Sequence, residues 1–501
     1  MKLLDCTIRD GGYYNNWDFN KDLITEYSVL MESLPIDYIE VGYRSIALEG
    51  YLGKYYYCPV YVLKELKSLM PSKKLVIILN EKDIRVEDLE ELLMPIKPFI
   101  TMVRMAVDPK NFERAIILAK AVKAIGFEVA FNVMYMSDWK NDSSFLNLLD
   151  ELDETLDFFY MVDSFGGILP DDVKQIIKLV QSKTEIPLGF HGHDNLSLGL
   201  INSITAMEQG CEIIDSTITG MGRGAGNLRT ELLLTYLESQ SKIKINFNEL
   251  GKIVSKFEEL KIDYGWGTNL PYMFSGANSL PQKDVMKLIA LNRYSAGTII
   301  KKLSSEIDKN NDITLNQYSP NKNLKNVLFV GGGKSVETHK PAINEFISSN
   351  KIDSIIFSSS KYINTISTDN INCKVVMLGK EASKIFSNRR KNYDYIFPSS
   401  PREMGTYLGQ LNKEKCFELK NNEIKDFDVS PLSMCHSIAK LHDTKKIFLV
   451  GFDGYDNSNS VLFNETTKTI EGIIDNNKIE FISLTPTNYE KLKVKSIYSF
   501  I

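Results

Sequence analysis

From residue 2 to about residue 240 the chain alternates short, β-rich apolar runs with longer stretches of helical period, and this beat constrains the fold more than any other feature. The apolar runs fall at residues 3–7, 37–41, 75–80, 99–106, 128–135, 158–163, 187–191 and 212–217, with helix-like stretches such as 21–34, 109–125, 170–183 and 195–208 between them. Eight βα units in about 240 residues fit a closed (β/α)8 TIM barrel, since an open sheet rarely needs so many parallel strands. In such a barrel the chemistry sits at the C-terminal ends of the strands. Polar side chains gather there: Arg9, Asp10, Glu40, Arg44, Asn80, Arg104, Asn132, Asp163, Ser164, His191 and His193. Any one of them could merely punctuate a turn; together they mark a site.

Residues 243–318 lose the βα beat and read as helical, apart from Tyr264-Gly265-Trp266-Gly267-Thr268-Asn269-Leu270-Pro271-Tyr272, whose aromatic and glycine content predicts a packed loop. The Asn-, Lys- and Asp-rich stretch 308–325 is the candidate linker. From residue 326 a strand runs into Gly331-Gly332-Gly333-Lys334-Ser335. Further strand-like runs at 354–357, 374–378, 395–397 and 446–450 predict a smaller, Rossmann-like open α/β sheet. The expected organisation is therefore a barrel over 1–242, a helical extension over 243–318 that contributes to the active site, and an α/β domain over 322–501. A chain of 501 residues supports about three domains at roughly 150 residues each.

A net charge of −5 with no basic stripe argues against nucleic acid and anionic membranes as partners. The six cysteines contain no C-x-x-C pair, which predicts neither a zinc cage nor a disulfide framework. No basic-then-apolar leader and no apolar run of about 18 residues is present, so the expectation is a soluble cytoplasmic protein.

Strand side chains alternate, so His191 and His193 project to the same side, and an H-x-H pair at a strand end can hold a metal or sit hydrogen-bonded in a polar pocket. Asp10, delivered by the first strand, favours the metal, because two imidazoles and a carboxylate suit a divalent ion such as Mn, Mg, Zn or Fe. After the eighth strand comes Thr219-Gly220-Met221-Gly222-Arg223-Gly224-Ala225-Gly226-Asn227. Its glycines allow close backbone approach, and Asn227 can cap the following helix or reach the metal. The loop follows the last barrel strand without a βαβ acid partner, which disfavours a dinucleotide. Arg9 cannot act as a base but suits an enolate oxygen beside a metal, a surface salt bridge being the alternative. The insert 43–59, rich in tyrosine, is expected to cap the site and bring Arg44 and Lys54 to an anionic or hydroxylated substrate, or else to be a packing loop. The glycine run 331–335 fails the P-loop pattern because residue 328 is Leu, though its turn into a helix still suits a phosphate.

The motifs at 4–12, 40–42, 191–195 and 220–231 resemble those of the pyruvate carboxyltransferase-like or DRE-TIM metallolyase superfamily, which includes 4-hydroxy-2-oxovalerate aldolase, isopropylmalate and homocitrate synthases and hydroxymethylglutaryl-CoA lyase. The resemblance implies a metal-dependent carbon–carbon lyase: Asp10, His191 and His193, with Asn227 in part of the superfamily, hold the ion, preferably Mn2+ or Mg2+. The ion holds a 2-oxo acid such as pyruvate, and Arg9 stabilises its enolate. Glu40, Arg44, Asn132 and Asp163 are the expected substrate-binding residues. The segment at Tyr264 favours the aldolase branch. Two departures mark this chain: Tyr13 stands where the aldolase carries a His and the synthases and lyase place Glu or Gln around Gly12 and Tyr13, and the lyase's loop cysteine is missing. The proton-transfer group is therefore sought among Tyr13, Tyr14, Tyr264 and a metal-bound water. The C-terminal domain resembles Rossmann-like domains of bacterial surface-glycan proteins, which implies a nucleotide or nucleotide-sugar ligand there and a role in surface polysaccharide biosynthesis. The expectation is an aldolase joining pyruvate and a sugar-like aldehyde, acting as a homo-oligomer. An acyl-CoA-dependent Claisen synthase and a nucleotide-sugar transferase or binding protein are the alternatives.

Overall fold

The computed structural model describes the chain except residues 153–154, 305–313, 321, 350–351, 369–370, 386–392, 401, 403–405, 407, 409–410, 421–428, 456–459 and 477–478. Residues 308–313 and 321 of the expected linker, and Asp456, thus lie outside the described residues. Two compact units are present, Met1–Val285 and Met286–Ile501. Among the described residues no helix is long and apolar enough to cross a membrane.

The first unit is a closed parallel barrel of eight strands in sequential order. They are β1 (Lys2–Asp5), β2 (Tyr38–Tyr43), β3 (Lys74–Asn80), β4 (Met102–Val107), β5 (Glu128–Val133), β6 (Phe158–Asp163), β7 (Leu188–Gly192) and β8 (Ile213–Ser216). Alternation sorts the side chains of each strand into two cores. Leu4, Tyr38, Val76, Met102, Ala130, Phe158, Tyr160 and Ile213 fill the barrel interior. Their neighbours Leu3, Ile39, Ile77, Val103, Val129, Phe159 and Ile214 pack outward under the helices. The helix Pro170–Gln181 shows the matching pattern, burying Val173, Ile176, Ile177 and Val180 at helical spacing behind an N-terminal proline.

Two residues further along the inward rows the chemistry changes. Tyr38 is followed by Glu40, Met102 by Arg104, Ala130 by Asn132, Gly189 by His191 and then His193, and Ile213 by Asp215. The lower barrel is therefore apolar and its C-terminal end is polar. Gly189 has a steric reason, since a Cβ there would lie 2.5 Å from the Tyr160 ring that occupies the interior.

β1 is shorter than the apolar run 3–7 suggests. The Asp5 carboxylate accepts the Thr7 N–H at 2.9 Å and turns the chain into the helix Thr7–Asn15. Arg9 and Asp10 consequently ride on the first turns of a helix rather than on a strand end. Gly11 and Gly12 weaken that helix intrinsically, but a Cβ would lie 2.6 Å from Met221 Sδ at one position and 2.1 Å from the Trp17 ring at the other.

Among the described residues the second unit carries a nine-stranded, wholly parallel sheet in the order β17-β16-β15-β10-β11-β12-β13-β14-β9. Its strands are β9 (Asn316–Gln317), β10 (Asn326–Val330), β11 (Ser354–Phe357), β12 (Asn372–Val376), β13 (Tyr393–Phe397), β14 (Cys416–Glu418), β15 (Lys446–Val450), β16 (Glu480–Ser483) and β17 (Lys493–Val494). Separate apolar clusters cover its two faces. The strand order reverses between β10 and β15, where doubly wound sheets open their crevice.

Candidate active site and metal centre

Asp10, His191 and His193 meet at the C-terminal end of the barrel, each offering a ligand atom within 4.8 Å of the others, and all three are buried. Their imidazoles are oriented from behind. His191 Nδ1 donates to Asp215 Oδ2 at 2.8 Å, and His193 Nδ1 donates to the carbonyl oxygen of Asp163 at 2.7 Å. Both acceptors lack a proton to give, because the charge of Arg104 holds Asp215 below the usual carboxylate range against the opposing effect of burial. With Nδ1 engaged, each ring keeps Nε2 as the atom through which an imidazole would take a metal. Burial, with His191 beside it, lowers His193 to about 3. Burial pushes Asp10 up, but Arg9 and the two imidazoles reverse the shift and hold it at about 2.

The loop after β8 closes over this group. Gly226 has a φ of +79°, and a Cβ there would lie 2.1 Å from the Gly220 carbonyl oxygen, so the loop folds back on itself only with glycine. Asn227 bridges to His193 and donates its Nδ2 to Asp10 Oδ2. Its Oδ1 is buried without a hydrogen-bond partner, which a metal ion would satisfy.

Arg9 donates through Nη1 to Asp10 Oδ1 and through Nε to Glu40 Oε2, both at 2.6 Å. Glu40 also pairs with Arg104 at 3.4 Å, and Arg104 donates to Asp215 Oδ2 at 2.7 Å and to Asn132 Oδ1 at 2.6 Å. One buried chain of charges thus runs from Arg9 through Glu40, Arg104 and Asp215 to His191. Asp10, Glu40 and Asp215 outnumber the two guanidiniums, so with neutral imidazoles one negative charge is unmatched. A divalent cation fits that deficit. A second group, Cys6, His191 and Asp215, has similar spacing. Burial keeps the Cys6 thiol protonated and Arg104 occupies Asp215, so it offers no comparable donor set.

The remaining expected site residues are placed as follows. Glu40 and Asn132 meet the two arginines. Asp163 accepts the Gly166 and Ile168 N–H groups, and burial raises its carboxyl to about 6. Tyr13 is 37% exposed at the mouth, its hydroxyl 3.0 Å from that of Tyr43. Tyr264 packs its ring against Tyr14 at 6.1 Å. It is Tyr272 that reaches the Tyr14 hydroxyl, and burial pushes both phenols well up. Arg44 donates through Nε to the Leu92 carbonyl and through Nη1 to the Tyr57 carbonyl, both at 2.8 Å, and ties the insert to the barrel. Within that insert Tyr43 and Tyr56 stack on each other and flank Trp17, as a packing loop would. Arg104 is one of the polar residues that the sequence places at the strand ends, whereas Asp215 and Tyr272 were not singled out from sequence. The inward row Ile213, Asp215 carried the signal for Asp215, while the partner of Tyr272 depends on tertiary packing.

A parallel barrel with a carboxylate and two imidazoles gathered at its C-terminal end has the donor set for a divalent metal. The HMGL-like family model matches residues 98–256. The chain is 24% identical over 242 residues to an oxaloacetate decarboxylase of Mycobacterium tuberculosis, covering 48% of this chain and 71% of the relative. It is 29% identical over 241 residues to a 4-hydroxy-2-oxovalerate aldolase of Carboxydothermus hydrogenoformans, covering 47% and 70%. A solved structure, the N-terminal domain of a provisionally assigned aldolase from Bacteroides vulgatus, is 55% identical with a TM-score of 0.58, covering 60% of this chain and 100% of that one. The chain belongs to the HMGL-like family, within the DRE-TIM pyruvate carboxyltransferase-like superfamily.

Proposed function

We propose that the barrel is a divalent-metal-dependent lyase that makes or breaks the bond between C3 and C4 of a 2-oxo acid, one carbon removed from its C2 carbonyl, with pyruvate as one partner and an aldehyde as the other. The observation that carries this reading is the convergence of two imidazole Nε2 atoms, the Asp10 carboxylate and the buried Arg9 guanidinium. Asp10, His191, His193 and the orphaned Asn227 Oδ1 would hold the ion, which when bound supplies Lewis-acid polarisation of the substrate carbonyl.

The rest of the chemistry falls to the chain's own side chains. With Nε on Glu40 and Nη1 on Asp10, Arg9 keeps Nη2 to donate to the oxygen on which negative charge gathers as the bond breaks. Arg104, Glu40, Asn132 and Asp215 position Arg9 and His191, and the Asp163 carbonyl positions His193. Tyr13 carries the proton at its hydroxyl, with the protonated Tyr43 hydroxyl beside it. Decarboxylation of oxaloacetate and cleavage of 4-hydroxy-2-oxovalerate both leave negative charge next to a 2-oxo group, so the chemistry named for the two relatives needs the same machinery.

The test is deuterium uptake into the methyl group of pyruvate, followed by proton NMR with Mn2+ added for turnover and removed before the spectrum. Exchange is expected, and Arg9→Ala should slow it about 10²–10³-fold. Asp10→Ala should abolish it together with metal binding. A protein that binds the metal and leaves the methyl group unexchanged would reject this function.

A further inference from the structure

Arg223 is the charged residue of the loop 220–227, and the site described above leaves it unused. The loop reaches the metal group at the residue before it, where a Cβ on Gly222 would lie 2.5 Å from Asn227 Nδ2 and 3.0 Å from Asp10 Oδ2. Arg223 itself is half-buried, and its guanidinium lies over the Tyr13 ring, 5.6 Å from the centroid. Its charge is felt at His193, where it adds to the effects of burial and of His191. Arg9 and Arg104 are both matched by carboxylates, whereas the Arg223 guanidinium has no hydrogen bond or ion pair among the described residues. A guanidinium that neighbours a metal group, stacks on a tyrosine and meets no anion among the described residues is prepared for an anion from outside.

Its position says which part of a substrate it meets. Arg9, Asp10 and His191 are buried, whereas the Tyr13 ring that the Arg223 guanidinium faces is 37% exposed. The reacting carbons belong between the buried group and the Tyr13 hydroxyl, so Arg223, beside the exposed Tyr13 ring, meets the far end of the substrate.

We propose that Arg223 is a specificity-determining residue that binds a terminal oxyanion, carboxylate or phosphate, on the carbonyl compound joined to or released from pyruvate. This rests on the lyase reading above and narrows its second substrate from an aldehyde in general to an anionic one.

Two measurements test it. The first needs no turnover: calorimetric binding of glycerol 3-phosphate, succinate and glycerol to the full-length Mn2+-loaded chain. At least one of the two anions should bind more tightly than glycerol, with the better one identifying the source of the charge. Arg223→Gln should weaken it about 10- to 100-fold, the usual span for a charge-assisted contact, and Arg223→Lys should restore part of the loss. The second is the ratio of kcat/KM for aldehydes carrying a terminal phosphate or carboxylate to that for uncharged aldehydes of the same length, which should fall by a similar factor in Arg223→Gln. Binding no better than glycerol, or affinity and ratio unmoved by Arg223→Gln, overturns the assignment. Absence of pyruvate exchange overturns the lyase reading alone, since anion binding is read without it.

Discussion

The C-terminal ends of the two sheets deal with polar groups in opposite ways. At the barrel end, Glu40 Oε1, Asp215 Oδ1 and Asn227 Oδ1 are buried without a hydrogen-bond partner, and the carboxylates exceed the guanidiniums. At the strand reversal of the second sheet the glycine turn is closed by the chain itself. Asp453 accepts the Ser335 N–H at 2.8 Å and the Ser335 hydroxyl, and Ser335 also meets Thr485 at 3.1 Å. A phosphate approaching that helix start would have to displace Asp453. Deeper in the same sheet, Lys374 donates to Ser354 Oγ at 2.9 Å and Asn372 Oδ1 at 3.1 Å, and burial lowers it to about 8. The barrel leaves charge and lone pairs open at one place, whereas the second sheet quenches them internally. Open valence in a buried setting is costly, and it points to where a ligand belongs.

The contrast is most severely tested at Arg104. Arg104→Met would strand Glu40 and Asp215 in the barrel, and the expected loss is about 3–5 kcal/mol in urea unfolding. A loss below about 1 kcal/mol would mean that the carboxylates find other partners and the barrel end is not charge-tuned.

Lys374 should show a smaller effect with a definite pH signature. Its folded pKa lies below the unfolded value of 10.5, so between pH 8 and 10.5 the unfolded chain binds more protons and stability rises with pH. Below pH 8 the full penalty applies. Lys374→Met should therefore be the more stable protein at pH 7, by on the order of 3 kcal/mol at most, with the gap closing toward pH 10.5. Parallel stability curves would show that Lys374 is charged in the fold and that the second sheet tolerates open charge as the barrel does.

Asp453→Ala should cost least, about 1–2 kcal/mol. Hydrogen exchange at Ser335 should accelerate, because its amide loses its acceptor. Unchanged protection there would remove the distinction between the two strand ends.

Much of this was legible in the residues. The βα beat announced the barrel because eight buried parallel strands and their amphipathic helices write two different periods into one chain. Asp10, His191 and His193 were legible because H-x-H on a strand is local and Arg-Asp-Gly-Gly ends an apolar run abruptly. The helix that carries Asp10 was not, since its start depends on the short-range bond from Asp5 to Thr7 overriding a β-rich stretch. The packing role of Arg44 was not legible for a different reason. A charged side chain in a tyrosine-rich insert reads as a substrate ligand until packing shows the Leu92 and Tyr57 carbonyls that claim it.

By itself, then, the sequence determined the alternation that closes a barrel, the rows of inward side chains and the identity of the groups that can bind a metal. These follow from periods of 2 and 3.6 residues and from side-chain chemistry, both of which are local. Only the tertiary structure decided which groups were already spoken for: Asp215 by His191 and Arg104, Asp453 by Ser335, Arg44 by backbone carbonyls, and Arg223 by none among the described residues. Those pairings join positions from 13 to 118 residues apart. Charge is satisfied by whatever chain closure brings within about 3 Å, and spacing along the sequence does not carry that information.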